Sequence, residues 1–237
     1  VLVLQLLQIN NFVMADRFTY VASIGFFIAL SYGFIKMLEK YPKSKNLILG
    51  VFVVYALVLT FKTNARTKTW KDSETLWTDV IEKYPSVFKA WNSRGQAKAE
   101  ELGQYAAAVK DFSQAIGINP DFYQAYINRG NAYLSLGNHQ KALQDFNAAI
   151  ELKPDYHMAY NNRGNVKATR GNIEDAIKDF TKAIELNPQY ARAYTNRGLA
   201  KANSGKEEAA LEDFNQAIEI SPNYYLPYNY RGLNHAR

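Results

Sequence analysis

The sequence predicts an all-α fold, in which two transmembrane helices precede a solenoid of stacked helix pairs. Three observations point there. Two long runs without a charged residue lie within the first 69 residues. Pro120, Pro154, Pro188 and Pro222 then stand 34 residues apart, and Gly130, Gly164, Gly198 and Gly232 keep the same interval. Between these markers the apolar residues fall at helical spacing.

The first run, Phe18–Ile35, has eighteen residues without a charge, and the second, Asn46–Phe61, has sixteen between Lys45 and Lys62. The sixteen rise about 24 Å against a hydrocarbon core of ~30 Å, and flanking lysines that snorkel make up the difference. Apolar residues surround the whole circumference of each run, which suits lipid better than a one-sided core. The expected spans are about 18–37 and 46–62, within a membrane region 1–69 that opens on the end of an earlier apolar segment. Lys36, Lys40, Lys43 and Lys45 face only Glu39 in the connecting loop. The positive-inside rule makes that loop cytoplasmic and the repeats extracytoplasmic, although Lys62, Arg66, Lys68 and Lys71 load the other flank too.

Charge and composition narrow the function. The net charge of +6 belongs to residues 1–69, with eight Lys/Arg and two Asp/Glu; residues 70–237 carry twenty of each. No basic stripe remains in the repeats, so nucleic acid is not an expected partner. The chain has no cysteine, which excludes disulfides and thiolate chemistry, and its three histidines are scattered. No metal, cofactor or catalytic site is expected within it. It starts at Val1 and stops inside a repeat, so the reading expects a piece of a longer protein.

Each repeat reads as two amphipathic helices. Tyr126, Gly130 and Tyr133 share one face of the first; Gly137-Asn138 ends it in a left-handed cap. Ala142, Phe146 and Ala149 form the stripe of the second, which Pro154 closes. Gly130 and Ala142 let the two backbones approach closely. First helices are expected at about Phe88–Glu100, Tyr123–Ser135, His157–Thr169 and Ala191–Asn203. Gly95 stands 35 before Gly130, the extra residue falling in the turn "AEELGQ".

An aromatic, Gly, Tyr, Ala, Phe, Ala and Pro at these places resemble the tetratricopeptide repeat. The resemblance implies a right-handed α-solenoid of four repeats, 88–122, 123–156, 157–190 and 191–224, with 225–237 starting a fifth. Residues 70–87 read as a degenerate half repeat, Trp77 at the Phe146 place and Pro85 at the Pro154 place. Lys98, Lys167 and Lys201 stand where the family has tyrosine. Their stems are expected to cover apolar surface while the ammonium reaches water.

Asn-Arg-Gly recurs in the first helices. Arg94, Arg129, Arg163 and Arg197 lie across the helix pair from Asp111, Asp145, Asp179 and Asp213, which predicts an ion pair in each unit; the alternative is an exposed arginine row for acidic ligands. Asn128, Asn162 and Asn196 are similar to the asparagine ladder of cytosolic sugar-transferring enzymes that hold peptide backbones along their repeats. The family's first helices line a concave groove, so the resemblance implies a polypeptide partner there. Its candidate residues are Asn128, Asn162 and Asn196, joined by Asn131 and Asn165, with Gln124 and Arg192 at the mouth.

The stretch "VMADRFTYVASIGF", Val13–Phe26, together with the repeats, resembles multi-span protein O-mannosyltransferases with tetratricopeptide tails. Asp16, Arg17, Tyr20 and Gly25 match the family's signature; Phe18 and Ala22 depart from it. The resemblance implies a lipid-linked sugar donor and catalytic acids in an early loop that this chain lacks. The leading expectation is the membrane anchor and acceptor-binding tail of such an enzyme. A membrane-tethered interaction scaffold with no enzymatic parent is the alternative.

Overall fold

The computed structural model of the chain describes residues 31–69 and 71–235. The Val13–Phe26 motif and most of the expected span 18–37 lie outside the described residues. Two compact units divide the chain, Val1–Thr67 and Lys68–Arg237. Among the described residues all regular structure is helical.

In the first unit, residues 31–40 (α1) are helical, and a 3₁₀ turn at Pro42–Ser44 leads into α2, Lys45–Thr69. The reversal stacks Phe34 on Phe52, ring centroids 4.3 Å apart. Val51, Val53, Val54, Tyr55 and Leu57, which step round most of the circumference, are each more than half exposed. Among the described residues no helix is long and apolar enough to cross a membrane. The expected span 46–62 falls within α2, whose charge-free run of sixteen residues rises about 24 Å; the described residues do not show a pair of spans.

The second unit is the array. A leading helix, α3 (Ser73–Lys83), is capped by Asp72, whose side chain accepts from the Thr75 amide at 2.8 Å. Four helix pairs follow: α4 (Phe88–Glu100) with α5 (Tyr105–Ile118), α6 (Tyr123–Ser135) with α7 (His139–Leu152), α8 (His157–Thr169) with α9 (Ile173–Leu186), and α10 (Ala191–Asn203) with α11 (Glu207–Ile220). Helix α12 (Tyr225–His235) packs on α11.

The turn inside each pair depends on one glycine: Gly103, Gly137, Gly171 and Gly205 have φ between 64° and 84°, where a side chain is strained. In the second repeat the Asn138 amide donates to the Tyr133 carbonyl at 2.8 Å and the Gly137 amide to Leu134 at 2.9 Å. Together these form the Schellman pattern that satisfies the last carbonyls of a helix. In the first repeat the equivalent bond runs from Gln104 to Lys98, one residue longer, which absorbs the extra residue of "AEELGQ".

Packing within a pair rests on a phenylalanine over a glycine. Phe112, Phe146, Phe180 and Phe214 are at most 1% exposed. A Cβ built on Gly95, Gly130, Gly164 or Gly198 would lie 2.7 Å from the facing ring. Alanines at the crossing complete the core, among them Ala108, Ala142, Ala176 and Ala210, all fully buried. Successive first helices α4, α6, α8 and α10 touch one another, while successive second helices hardly do. A stack held closer along its first helices carries them on the inner side of its curve.

Candidate functional site

The arginine of each Asn-Arg-Gly reaches across to the second helix. Arg129 donates through Nε and Nη2 to the two oxygens of Asp145 at 2.9 and 2.7 Å. Arg94, Arg163 and Arg197 hold Asp111, Asp179 and Asp213 in the same fork. Nη1 then donates to the preceding second helix: to Ser113 from Arg129, Asn147 from Arg163 and Thr181 from Arg197, at 2.9–3.2 Å. Each guanidinium also lies 4.9–5.6 Å from the ring three residues before it, Trp91, Tyr126, Tyr160 or Tyr194. The bonds to Asp111 hold Arg94 above the usual arginine range. For Arg129, burial works against the charge, but pairing with Asp145 outweighs it and the net direction is up. These arginines are the struts of the array, each paired with a buried carboxylate.

The lysines at the tyrosine place do not reach water as the sequence suggests. Lys98, Lys167 and Lys201 extend Nζ to within 2.8–2.9 Å of Asp111, Asp179 and Asp213. One turn after the arginine, the ammonium falls over the same carboxylate, and a buried carboxylate needs all the donors it can gather. In the second repeat Tyr133 keeps the family residue, and Asp145 is paired with Arg129.

The asparagines form a row. Asn128 donates Nδ2 to the Oδ1 of Asn92 on the preceding first helix at 2.9 Å. Asn196 donates likewise to Asn161 at 2.9 Å, and Asn162 to Asn131 at 3.0 Å. The middle bond changes register because Ile127, not an amide, stands where the neighbouring repeats have Asn92 and Asn161. Asn162 therefore turns to Asn131 one turn on. Asn161 is fully buried and also reaches toward the Oδ1 of Asn162 at 3.4 Å. An amide has two donor hydrogens and one acceptor oxygen, so Asn128 and Asn196 keep a donor and an acceptor beyond the row.

A cleft of about 200 Å³ opens beside the row, lined by Gln96 and Glu100 of α4 and by Asn128, Asn131 and Ser135 of α6, with Tyr105 and Phe112 beneath. Two of the sequence-predicted residues thus share one cavity. Asn165 is half-buried one turn after Asn162, and Gln124 lies one turn before Asn128. Arg192, exposed in the first turn of α10, lies beside Tyr190 and Tyr224 and opposes the upward push that burial gives both phenols. Next to it His157 packs on Tyr190 with centroids 4.8 Å apart, and burial lowers its pKa. Asn92, Asn161 and Gln96 are additions to the sequence-predicted set. The signal for Asn92 and Asn161 is an amide immediately before the asparagine place, broken by Ile127 and Thr195. Among the described residues no cluster of His, Cys, Asp and Glu could hold a metal ion.

Comparison with known proteins agrees with the repeat architecture. Residues 123–156 and 191–224 match the family model of the tetratricopeptide repeat, and residues 101–137 and 164–205 match a second, TPR repeat model. Human protein O-mannosyl-transferase TMTC3 is 31% identical over 128 residues, 53% of this chain and 14% of the relative. Protein O-mannosyl-transferase Tmtc2 of Drosophila melanogaster is 27% identical over 118 residues, 50% of this chain and 12% of that one. The chain therefore spans about one seventh of the length of these curated relatives. Among solved structures, the crystal structure of MamA superimposes with a TM-score of 0.56 at 25% identity, covering 62% of this chain and 85% of that chain.

Proposed function

We propose that this chain, whose array is built of tetratricopeptide repeats, offers its row of asparagine amides to an extended polypeptide and does so from a membrane anchor. The observation that carries the reading is the row itself, with Asn128, Asn162 and Asn196 on successive first helices, each bonded to an amide of the repeat before it. A side-chain amide left with a donor and an acceptor matches a peptide unit without regard to its side chain. Asn131, Asn165 and Gln124 extend the row, and Arg192 stands at its mouth. Each hydrogen bond is worth about 0.5–1.5 kcal/mol net, and ordering a flexible peptide offsets much of that. The binding is therefore weak and releasable.

Similarity to O-mannosyl-transferases over half the chain supports the finer reading, the acceptor-binding part of an integral-membrane glycosyltransferase whose catalytic groups lie elsewhere. The exposed apolar side chains of α2 support the anchor; Lys45 and Lys62 would snorkel at its two ends. In this reading the chain crosses the membrane at about 18–37 and 46–62, and the repeats lie on the extracytoplasmic side.

Fluorescence anisotropy of a labelled unfolded polypeptide tests the groove. Replacing Asn128, Asn162 and Asn196 together with alanine is expected to weaken capture about tenfold or more. Because these amides also brace neighbouring helices, Asn165→Ala serves as a companion variant whose side chain makes no such bond; it is expected to weaken capture by severalfold and leave the melting curve unchanged. Equal binding by both variants would remove the reading.

A further inference from the structure

We infer that the occupant of the row is a polypeptide segment without charged side chains and rich in hydroxyls and amides; this rests on the reading of the row as a peptide groove. The cleft identifies which positions face that surface, since Asn128, Asn131 and Ser135 of α6 line it together with Gln96 and Glu100 of α4. These are positions i, i+3 and i+7 of a helix, one stripe on one face. The stripe returns on α8 as Asn162, Asn165 and Thr169. On α10 it reads Asn196, Leu199 and Asn203, and on α4 Ser93, Gln96 and Glu100.

Seven of these twelve side chains are amides, three are hydroxyls, one is leucine, and Glu100 alone is charged. Residues 70–237 include 40 charged residues out of 168, so an ordinary stripe of this size would carry about three. The contrast is sharpest against the arginines beside it, each of which is paired with a buried carboxylate, Asp145 or its equivalent. On the stripes of α6, α8 and α10 a ligand carboxylate or ammonium would lose water and find no charged side chain of the stripe to pair with. Serine, threonine, asparagine and glutamine side chains would exchange water for amide partners that both donate and accept. None of the twelve positions is aromatic; the rings in the cleft, Tyr105 and Phe112, belong to the second helix α5.

The test uses the full chain and three labelled peptides of about twelve residues, each ~40 Å when extended. One is built of Ser, Thr, Asn and Gly; in the others every third residue is Glu or Lys. The neutral peptide is expected to bind about tenfold more tightly than either charged one. Its Kd should not move between about 50 and 500 mM NaCl, since no ion pair is screened. Thr169→Lys, which sets one charge into the stripe, is expected to turn the preference toward the Glu-bearing peptide and make that binding salt-sensitive. Equal or tighter binding of a charged peptide to the unaltered chain overturns the inference and leaves the groove standing. Failure of all three peptides, or preference for a linear oligosaccharide, overturns the groove reading as well.

Discussion

A buried carboxylate is the most demanding group in the array, and its partners decide what a substitution costs. Asp179 is 5% exposed and receives two bonds from Arg163 and a third contact from Lys167 at 2.8 Å. Asp145 is as deeply buried but is held by Arg129. Removing one partner of a buried pair costs about 3–5 kcal/mol, because the other charge is stranded. Asp179→Ala strands two cations and Asp145→Ala one, so urea denaturation should find Asp179→Ala the more costly. In a cycle on Arg129 and Asp145 the double variant should be less destabilised than the sum of the single ones. Additive losses would show that the pair is too well solvated to matter. The arginine–aspartate pairing is legible in the sequence, because the antiparallel helices of one repeat set the two positions opposite each other. The fate of the lysines is not. It depends on how deeply the carboxylate sits, and a side chain read alone reveals only its own ability to snorkel.

At the scale of the helix pair, glycine serves two separate purposes, and alanine substitution distinguishes them. On Gly130 an added Cβ would meet the Phe146 ring at 2.7 Å. That ring is fully buried and has nowhere to go, so overpacking of about 1–3 kcal/mol outweighs the gain of up to ~1 kcal/mol in helix propensity. Gly130→Ala is expected to lower the melting temperature. Gly117, inside α5, has nothing within 4 Å of an added Cβ, and Gly117→Ala should be stabilising by up to ~1 kcal/mol. Two variants of the same sign would contradict this account of the pair. The 34-residue phase makes the helices and their turns legible, down to the first helix Tyr123–Ser135. That phenylalanine and glycine make the contact directly is a three-dimensional fact. The period alone says only that something must approach closely.

Across the whole molecule the inter-repeat bonds are the least legible part. Asn128 and Asn92 are 36 residues apart and Asn196 and Asn161 are 35 apart, so their meeting depends on how one repeat rotates on the next. The change of register at Asn162–Asn131 follows from Ile127, which a search for regular markers passes over. The anchor and its side of the membrane are tested by single cysteines in a chain that has none of its own. With a membrane-impermeant thiol reagent on intact cells, Ser204→Cys should label and Ser44→Cys should be protected. The reverse would put the repeats in the cytosol. The central claim is that the first-helix amides hold an extended polypeptide, and site-specific photo-crosslinking tests it most directly. A photoreactive residue at Asn165, on the amide stripe, is compared with one at Lys182, exposed on the second helix of the same repeat. The account predicts capture of a neutral unfolded peptide at Asn165 and little at Lys182. Equal capture at both, or capture at Lys182 alone, would contradict it.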